Sequence, residues 1–310
     1  MLALEWKNRQ RLKPELISII TVNYFSEDEI LECYSSIIKN TEIDFELILV
    51  SNSPIREDFR NSISDLKLPV VIHETGTNLG FAKACNIGAT FATGEFLFFL
   101  NPDTRFRNDV LQKLFACYRS IDNPGILGPQ TFDSNQNPVP SAKSELTAGY
   151  FLTVMFPFIH FFSGDNGFKV HFMPGQTSSV PVVNGHALFI SRLLFNTIEG
   201  WDENFYMYWE ENDICIKARK TGNEVIFCKE AELIHKSGVS TSKVFLKMEI
   251  EKHRSQRKFV QKNHPNFNLL NRFSGCIGFF IRTLASLFTF NRKEIQRFWT
   301  LFLWYTFRYN

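Results

Sequence analysis

Paired cysteines are missing from this sequence. The six it has, Cys33, Cys85, Cys117, Cys215, Cys228 and Cys276, form no C-x-x-C pair, which excludes zinc-ribbon and thioredoxin-like arrangements and points to buried thiols in a reducing cytoplasm. A strong excess of one charge is missing too. With a formal net charge of +2, the molecule as a whole is not expected to hold nucleic acid or another polyanion. The phenylalanine-rich tail contains no uncharged apolar segment of 18 residues, so none is expected to cross a bilayer. The first fifteen residues, "MLALEWKNRQRLKPE", have no apolar core and no small-residue cleavage site and do not read as a secretory signal. There is no G-x-x-x-x-G-K-S/T, which excludes a P-loop, and no G-x-G-x-x-G behind a strand, which removes the main support for a dinucleotide fold.

What is present is the composition of a globular protein. Apolar residues make up 44% and charged residues 21% of 310 positions, enough for one large domain or one domain with an appendage. Phenylalanine is the outlier at 33. Its concentration in the last forty residues suggests a second apolar surface besides the core.

The first half alternates strand and helix patterns. "LISIITVNY" (16–24), "FELILVS" (45–51), "LPVVIHE" (68–74) and "EFLFFLN" (95–101) read as strands. Between them, "SEDEILECYSSIIKN" (26–40) has a serine N-cap with acidic residues in its first turn, and "GFAKACNIGATFATG" (80–94) is a helix closing on glycine. Strands separated by helical stretches of this length predict an α/β layer with a parallel sheet. Residues 132–181 are rich in Pro, Ser, Asn and Gly around "YFLTVMFPFIHFF" and read as a long excursion, a loop with a short helix. Regular structure is expected again at "VPVVNGHALFISRLLF" (180–195), then a helix within 202–222, strand and loop in 223–240, and a charged helix over 242–265.

Two features carry chemistry. The apolar run Phe96–Leu100 stops at Asn101-Pro102-Asp103, which puts a carboxylate at the carboxyl end of a strand covered on both faces, where open α/β sheets hold ligands. Asn-Pro-Asp is also ordinary turn chemistry. Asn78, Gly80, Lys83, Asn86 and Gly88 surround a helix start, offering backbone N–H groups and a cation to an anion, or equally a cap with a packing glycine.

"TVNY", "SNS", "NLGFAKACNIGA", "LNPDT", "GWDENFYMYWEENDICIKARKTG" and "IHKSGVS" occur in this order over residues 16–240. In this the chain resembles family 2 glycosyltransferases, particularly the bacterial rhamnosyltransferase-like branch. The resemblance implies a GT-A fold, that is, an α/β domain over residues 14–240 with a mainly parallel nucleotide-binding sheet flanked by helices. It also implies a nucleotide-sugar donor (dTDP- or UDP-linked), Mg²⁺ or Mn²⁺, and inversion at the anomeric carbon by a single displacement. Asp103 is then the metal ligand of a variant D-x-D motif, with Asn101 in place of the first Asp. His235 is a second ligand, or else a surface histidine. Thr21, Asn23, Asn52, Asn78 and Lys83 would line the donor, with Asn52 standing where relatives often have Asp and Lys83 near a phosphate. In the acidic cluster, Glu211 falls where the family has its base, usually Asp; Glu210, Asp213 and Trp209 would support it or face the acceptor. Without the neighbouring motifs the cluster is a solvated acidic helix start.

Residues 241–310 form a C-terminal helical extension in this reading. Gly275, Gly278, Arg282, Ser286 and Thr289 recur every three or four residues as a narrow polar stripe among Phe, Leu and Ile, and residues 272–310 hold six basic residues against one acidic. This predicts helices lying in the interface of an anionic membrane, on the inner face of the cell membrane; packing on the protein or in a homodimer is the alternative. The combined expectation is a metal-dependent inverting transferase moving a sugar, L-rhamnose first, to a saccharide or lipid-linked acceptor of a bacterial surface polysaccharide. UDP-galactofuranose or a UDP-hexose as donor, and a silent nucleotide-sugar-binding scaffold protein, are the rivals.

Overall fold

The computed structural model describes residues 13–66, 68–156, 171–236 and 245–309. The expectations for the N-terminal twelve residues, for the second part of the aromatic stretch, 157–162, and for the end of "IHKSGVS" lie outside them. The described residues fall into two compact units: 13–143, 173–206 and 210–236 in one, and 144–156, 171–172, 207–209 and 245–309 in the other. The excursion expected around 132–181 is therefore shared, its middle grouping with the C-terminal helices and not with the sheet.

The first unit opens with β1 (Lys13–Asn23), α1 (Glu27–Asn40), β2 (Phe45–Ser51), α2 (Glu57–Asp65), β3 (Val70–Glu74), α3 (Phe81–Phe91) and β4 (Gly94–Leu100). It continues with β5 (Thr104–Phe106), α4 (Val110–Arg119), β6 (Pro124–Phe132) and the short strands β7 (Pro138–Val139) and β8 (Ala142–Lys143). The second unit then takes α5 (Ala148–Met155) and β9 (His171–Phe172). The chain returns with β10 (Ser178–Ser179), β11 (Val182–Val183), β12 (Ala187–Ser191), α6 (Arg192–Thr197), α7 (Glu210–Lys220) and β13 (Glu224–His235).

The main sheet runs β10-β13-β6-β12-β4-β1-β2-β3. From β3 to β4 every pairing is parallel, as the strand–helix rhythm predicts. Beyond β4 the sheet is mixed: β12 is antiparallel to both β4 and β6, and β13 is parallel to β6. Phe96 to Leu100 are all buried, which is why the strand is apolar at every position instead of every second one. Ile17, Ile19, Leu47, Leu49, Phe98 and Phe189 belong to one core cluster. Fully burying side chains of this size is worth roughly 1.5–3 kcal/mol each.

Two registers position the site. Ala187 of β12 pairs with Leu100, and the Asn101 N–H donates to the His186 carbonyl at 2.8 Å, so His186 lies beside the Asn-Pro-Asp turn. In β13 the register slips between Cys228 and Glu232; past the slip, His235 pairs with Thr104 of β5. That slip carries His235 to the same turn.

The second unit holds α8 (Phe245–Asn263), α9 (Asn268–Phe288), α10 (Arg292–Leu303) and a closing turn of π-helix, Trp304–Arg308. The small and polar stripe of α9 faces the inside of this unit. A side chain at Gly275 would collide with the Tyr305 ring, one at Gly278 with the Val154 carbonyl, and the Arg282 guanidinium donates to that carbonyl at 2.6 Å. Ser274, Thr283 and Ser286 are buried with them. Of the expected stripe, Thr289 alone is exposed. The exposed face is instead apolar: Leu269, Phe273, Ile277, Phe280, Leu284, Leu287 and Phe288 on α9, continued by Trp299 and Leu303 on α10 and by Phe307. Among the described residues no helix is long and apolar enough to cross a membrane.

Candidate active site

The carboxyl ends of β1 and β2 are tied together by amides. Asn23 donates from Nδ2 to the Ser51 hydroxyl at 2.8 Å and accepts from the Ser26 N–H at 3.0 Å. Asn52 donates to the Gly80 carbonyl at 3.1 Å and accepts from the Thr75 hydroxyl at 3.1 Å. Asn78 accepts from the Gly80 N–H at 3.0 Å. Asn52 and Asn78 hold the loop before α3, while Asn23 joins the end of β1 to Ser51 and Ser26. Gly80 has φ +86°, and a Cβ there would stand 2.5 Å from the Tyr206 carbonyl, which also accepts from the Phe81 N–H at 2.8 Å. Glycine alone fits that conformation and that approach. Thr21 is fully buried, and its hydroxyl faces that of Tyr34 on α1; the structure does not bring it to the strand-end cluster, because it points to the α1 side of β1. Lys83 is about half exposed and lies 3.8 Å from Glu203. Tyr24 and Phe25 stand exposed at the end of β1 with their rings 4.9 Å apart, Phe25 in the left-handed region at φ 54°.

The turn after β4 forms the second element. Asp103 Oδ1 is 3.2 Å from His235 Nε2, both side chains being mostly buried. The His235 ring stacks on that of His186 with centroids 4.3 Å apart, and His186 Nε2 shares a hydrogen bond of 2.8 Å with the Thr131 hydroxyl. Burial, then His235 and Lys143, hold the His186 pKa well below the usual imidazole range, so it backs His235 as a neutral ring. The Lys236 N–H donates to the Asp103 carbonyl at 2.9 Å, and its ammonium reaches Glu32 at 2.6 Å. Hydrogen bonds from Lys236 and then Arg105 lower the Glu32 carboxyl to about 2. The strand carrying His235 is thus fastened on both sides of the imidazole.

Asp103 and His235 suit a divalent ion that brings its remaining ligands with it. Among the described residues no group of three His, Cys, Asp or Glu side chains could hold a metal alone. One carboxylate and one imidazole leave positions for diphosphate oxygens and water, the usual company of Mg²⁺ and Mn²⁺. The Asn101 side chain lies at the same turn, its backbone engaged by His186 and Thr104.

The third element is the first turn of α7, where Glu210, Glu211 and Asp213 are all buried. This overturns a solvated acidic helix start. Burial, then the neighbouring Glu211, push the Glu210 carboxyl up to about 8, and its Oε2 has no hydrogen-bond partner among the described residues. Glu211 is ion-paired through Oε1 with the Lys143 ammonium. Trp209 belongs to the second unit, where its ring lies 5.0 Å from Phe259 and 6.4 Å from Tyr150.

The structure thus brings Asp103 to His235 and Glu211 to Glu210, and it adds His186, Thr131 and Lys143, none of which the motifs announced. "NGHAL" does carry a signal for His186: a polar residue immediately before an apolar run that pairs with β4.

Residues 18–173, half of the chain, match the family described as "Glycosyl transferase family 2". The chain belongs to glycosyl transferase family 2. Family membership also appears in curated relatives. The low-salt glycan biosynthesis hexosyltransferase Agl10 of Haloferax volcanii is 26% identical over 238 residues, 73% of this chain and 69% of that protein. The N-acetylglucosaminyl-diphospho-decaprenol L-rhamnosyltransferase of Mycobacterium tuberculosis is 22% identical over 267 residues, covering 82% and 86%. Among solved structures, GalNAc-T7 with UDP, GalNAc and Mn²⁺ superposes with a TM-score of 0.57 at 14% identity, over 94% of this chain and 55% of that one. S. aureus TarS 1–349 in complex with UDP gives 0.53 at 16% identity, over 94% and 91%. The fold is GT-A, and this family 2 member is a glycosyltransferase.

Proposed function

We propose that this family 2 enzyme moves a sugar from a nucleoside-diphosphate donor to an acceptor hydroxyl with inversion, in the presence of Mg²⁺ or Mn²⁺. The observation that carries this is the Asp103–His235 pair at the carboxyl end of β4, 3.2 Å apart. Asp103 and His235 would hold a divalent ion there, which would supply positive charge to the departing diphosphate. The protein's own groups do the rest. The strand-end loops tied by Asn23, Asn52 and Asn78, with exposed Tyr24 and Phe25, receive the nucleoside. Glu211 takes the proton from the acceptor hydroxyl as its oxygen bonds to the anomeric carbon. The bond from that carbon to the diphosphate oxygen breaks, and its electron pair leaves with the diphosphate. Burial of the carboxylate cluster excludes water from the proton acceptor.

A dTDP- or UDP-sugar is the donor class, and dTDP-L-rhamnose is the first candidate, supported by the likeness to the mycobacterial rhamnosyltransferase. That relative's name specifies a lipid-linked acceptor. The second unit is suited to a lipid surface: its exposed apolar face is bordered by exposed Arg292, Lys293 and Arg308, and residues 265–309 hold six basic residues and one acidic. That excess attracts anionic headgroups and repels a second copy of the same face. The enzyme would then work as a peripheral protein on the cytoplasmic side of a membrane.

The test is nucleoside-diphosphate release from dTDP-L-rhamnose, UDP-glucose and UDP-galactofuranose, with and without Mn²⁺, beside thermal shift. A donor at 100 times its dissociation constant stabilises by about 2.7 kcal/mol. Metal-dependent release from one of them is expected. Stabilisation without release from any donor would make the protein a nucleotide-sugar-binding scaffold.

A further inference from the structure

Lys143 ends β8, in the stretch that composition marks as an excursion, yet its ammonium meets Glu211 Oε1 in the interior of the first unit. The two side chains are 14% and 10% exposed. Such a pair differs from a surface salt bridge, because each partner alone would be a buried, uncompensated charge. Glu210, adjacent on α7, is pushed toward its neutral form, Asp213 is buried two residues on, and His186 is held neutral. From the other side, the backbone at Gly185 closes on the carboxylate stem: a Cβ there would lie 3.1 Å from the Glu211 Cβ.

We infer that Lys143 is a positioning residue for the transfer reaction, holding the Glu211 carboxylate ionised and aimed so that it enters the reaction as a base. The inference rests on the reading of Glu211 as base and adds what makes that base usable. A buried carboxylate beside a second carboxyl takes up a proton unless a cation opposes it, and a protonated Glu211 is far too weak a base to take the acceptor proton. Lys143 supplies such a cation, and β8, paired with β11, fixes its approach. The excursion therefore reaches the reacting groups through one side chain. A lysine that only staples β8 to α7 would have the same geometry; the two differ in what happens to the pH dependence of turnover.

The experiment uses the full chain with Mn²⁺ and whichever of the three nucleotide-sugars above gives the fastest nucleoside-diphosphate release. Turnover is measured from pH 5 to 10 for wild type, Lys143→Met, Lys143→Arg and Glu211→Gln. Lys143→Met is expected to lose about 10–100-fold in kcat near pH 7, with donor KM within about twofold, a smaller loss than the 10²–10⁴ typical of removing a general base outright. Its acidic limb should move to higher pH by about one unit or more, so that activity returns in alkali, and Lys143→Arg should restore the wild-type limb. A Lys143→Met enzyme with an unmoved limb overturns the inference, whatever its absolute rate. If Glu211→Gln keeps wild-type turnover, the base reading itself falls. If Glu211→Gln is inactive and the limb of Lys143→Met is unmoved, only the role of Lys143 falls. Should Lys143→Met fail to fold, Lys143→Gln replaces it. Titration of ¹³C-carboxyl-labelled glutamate in the folded protein, assigned with Glu211→Gln, then reads the same displacement without turnover.

Discussion

His235 Nε2 stands 3.2 Å from Asp103 Oδ1, closing a contact between the end of β13 and the turn after β4. The imidazole is held from behind by His186 and from below by the pairing of β13 with β5. A carboxylate and an imidazole meeting at a strand terminus, with no third His, Cys, Asp or Glu grouped with them among the described residues, would form a half-site for a metal that a diphosphate completes.

Asp103→Ala should therefore remove the metal-dependent part of nucleotide binding. In calorimetry with UDP or dTDP and Mn²⁺, at least about tenfold weaker affinity is expected, equivalent to about 1.4 kcal/mol, and His235→Ala should behave similarly. Asn101→Ala, which removes a neutral amide, should stay within about threefold. Unchanged metal-dependent affinity in Asp103→Ala would take that residue out of the site.

Glu211→Gln keeps the size of the side chain and cannot accept a proton. Its transfer rate should drop by about 10² or more with donor affinity nearly unchanged, and Glu211→Asp should retain more. Asp213→Asn is the control: abolition of transfer there, with Glu211→Gln active, would move the base along α7.

Glu210 predicts a stability effect whose sign is fixed. Burial raises its folded pKa from 4.5 to about 8, so the folded state favours the protonated form. The resulting stability is fully present below about 4.5 and is lost as pH rises toward 8. Glu210→Gln has no proton to lose. Its melting temperature should gain on wild type progressively between pH 5 and 8 and stop gaining above that. A gap that does not depend on pH would mean that Glu210 is already ionised in the fold.

The exposed face of α9 gives the fourth prediction. Wild type should float with vesicles containing anionic lipid, less so at high salt, and Phe280→Glu with Phe288→Glu should abolish flotation while leaving donor hydrolysis in solution unchanged. Failure of wild type to float, together with a dimer in solution lost in the same variant, would assign the face to self-association.

Much of the first unit was legible because its signals are local. The apolar runs of β1, β2 and β4 and the glycine-bounded α3 lie within three residues of their expected spans, since each pattern is set by burial against its own neighbours. Asp103 was legible for the same reason, as the first carboxylate after a doubly covered strand. Lys143 was not, because it reaches the site from β8 and nothing local distinguishes it from a loop residue; His186 was marked only by its place before the apolar run of β12. Asn23 and Asn52 were assigned to the donor; the structure adds that their amides are hydrogen-bonded to neighbouring loops, a use that sequence alone does not separate from ligand contact. The stripe on α9 was visible as a period, while its direction depended on Tyr305 and Val154, which lie far away in sequence.

A molecule that carries Phe280, Phe288 and Phe307 on its outside has a solution behaviour that depends on its company. In dilute aqueous buffer those rings have no solvent suited to them, so copies will tend to shield one another, and apparent size will climb with concentration and ionic strength as repulsion between the basic borders is screened. Mild detergent should reverse this without touching turnover. Hydrodynamic radius then becomes a gauge of whether the apolar face is occupied, readable on a sizing column before any substrate is known.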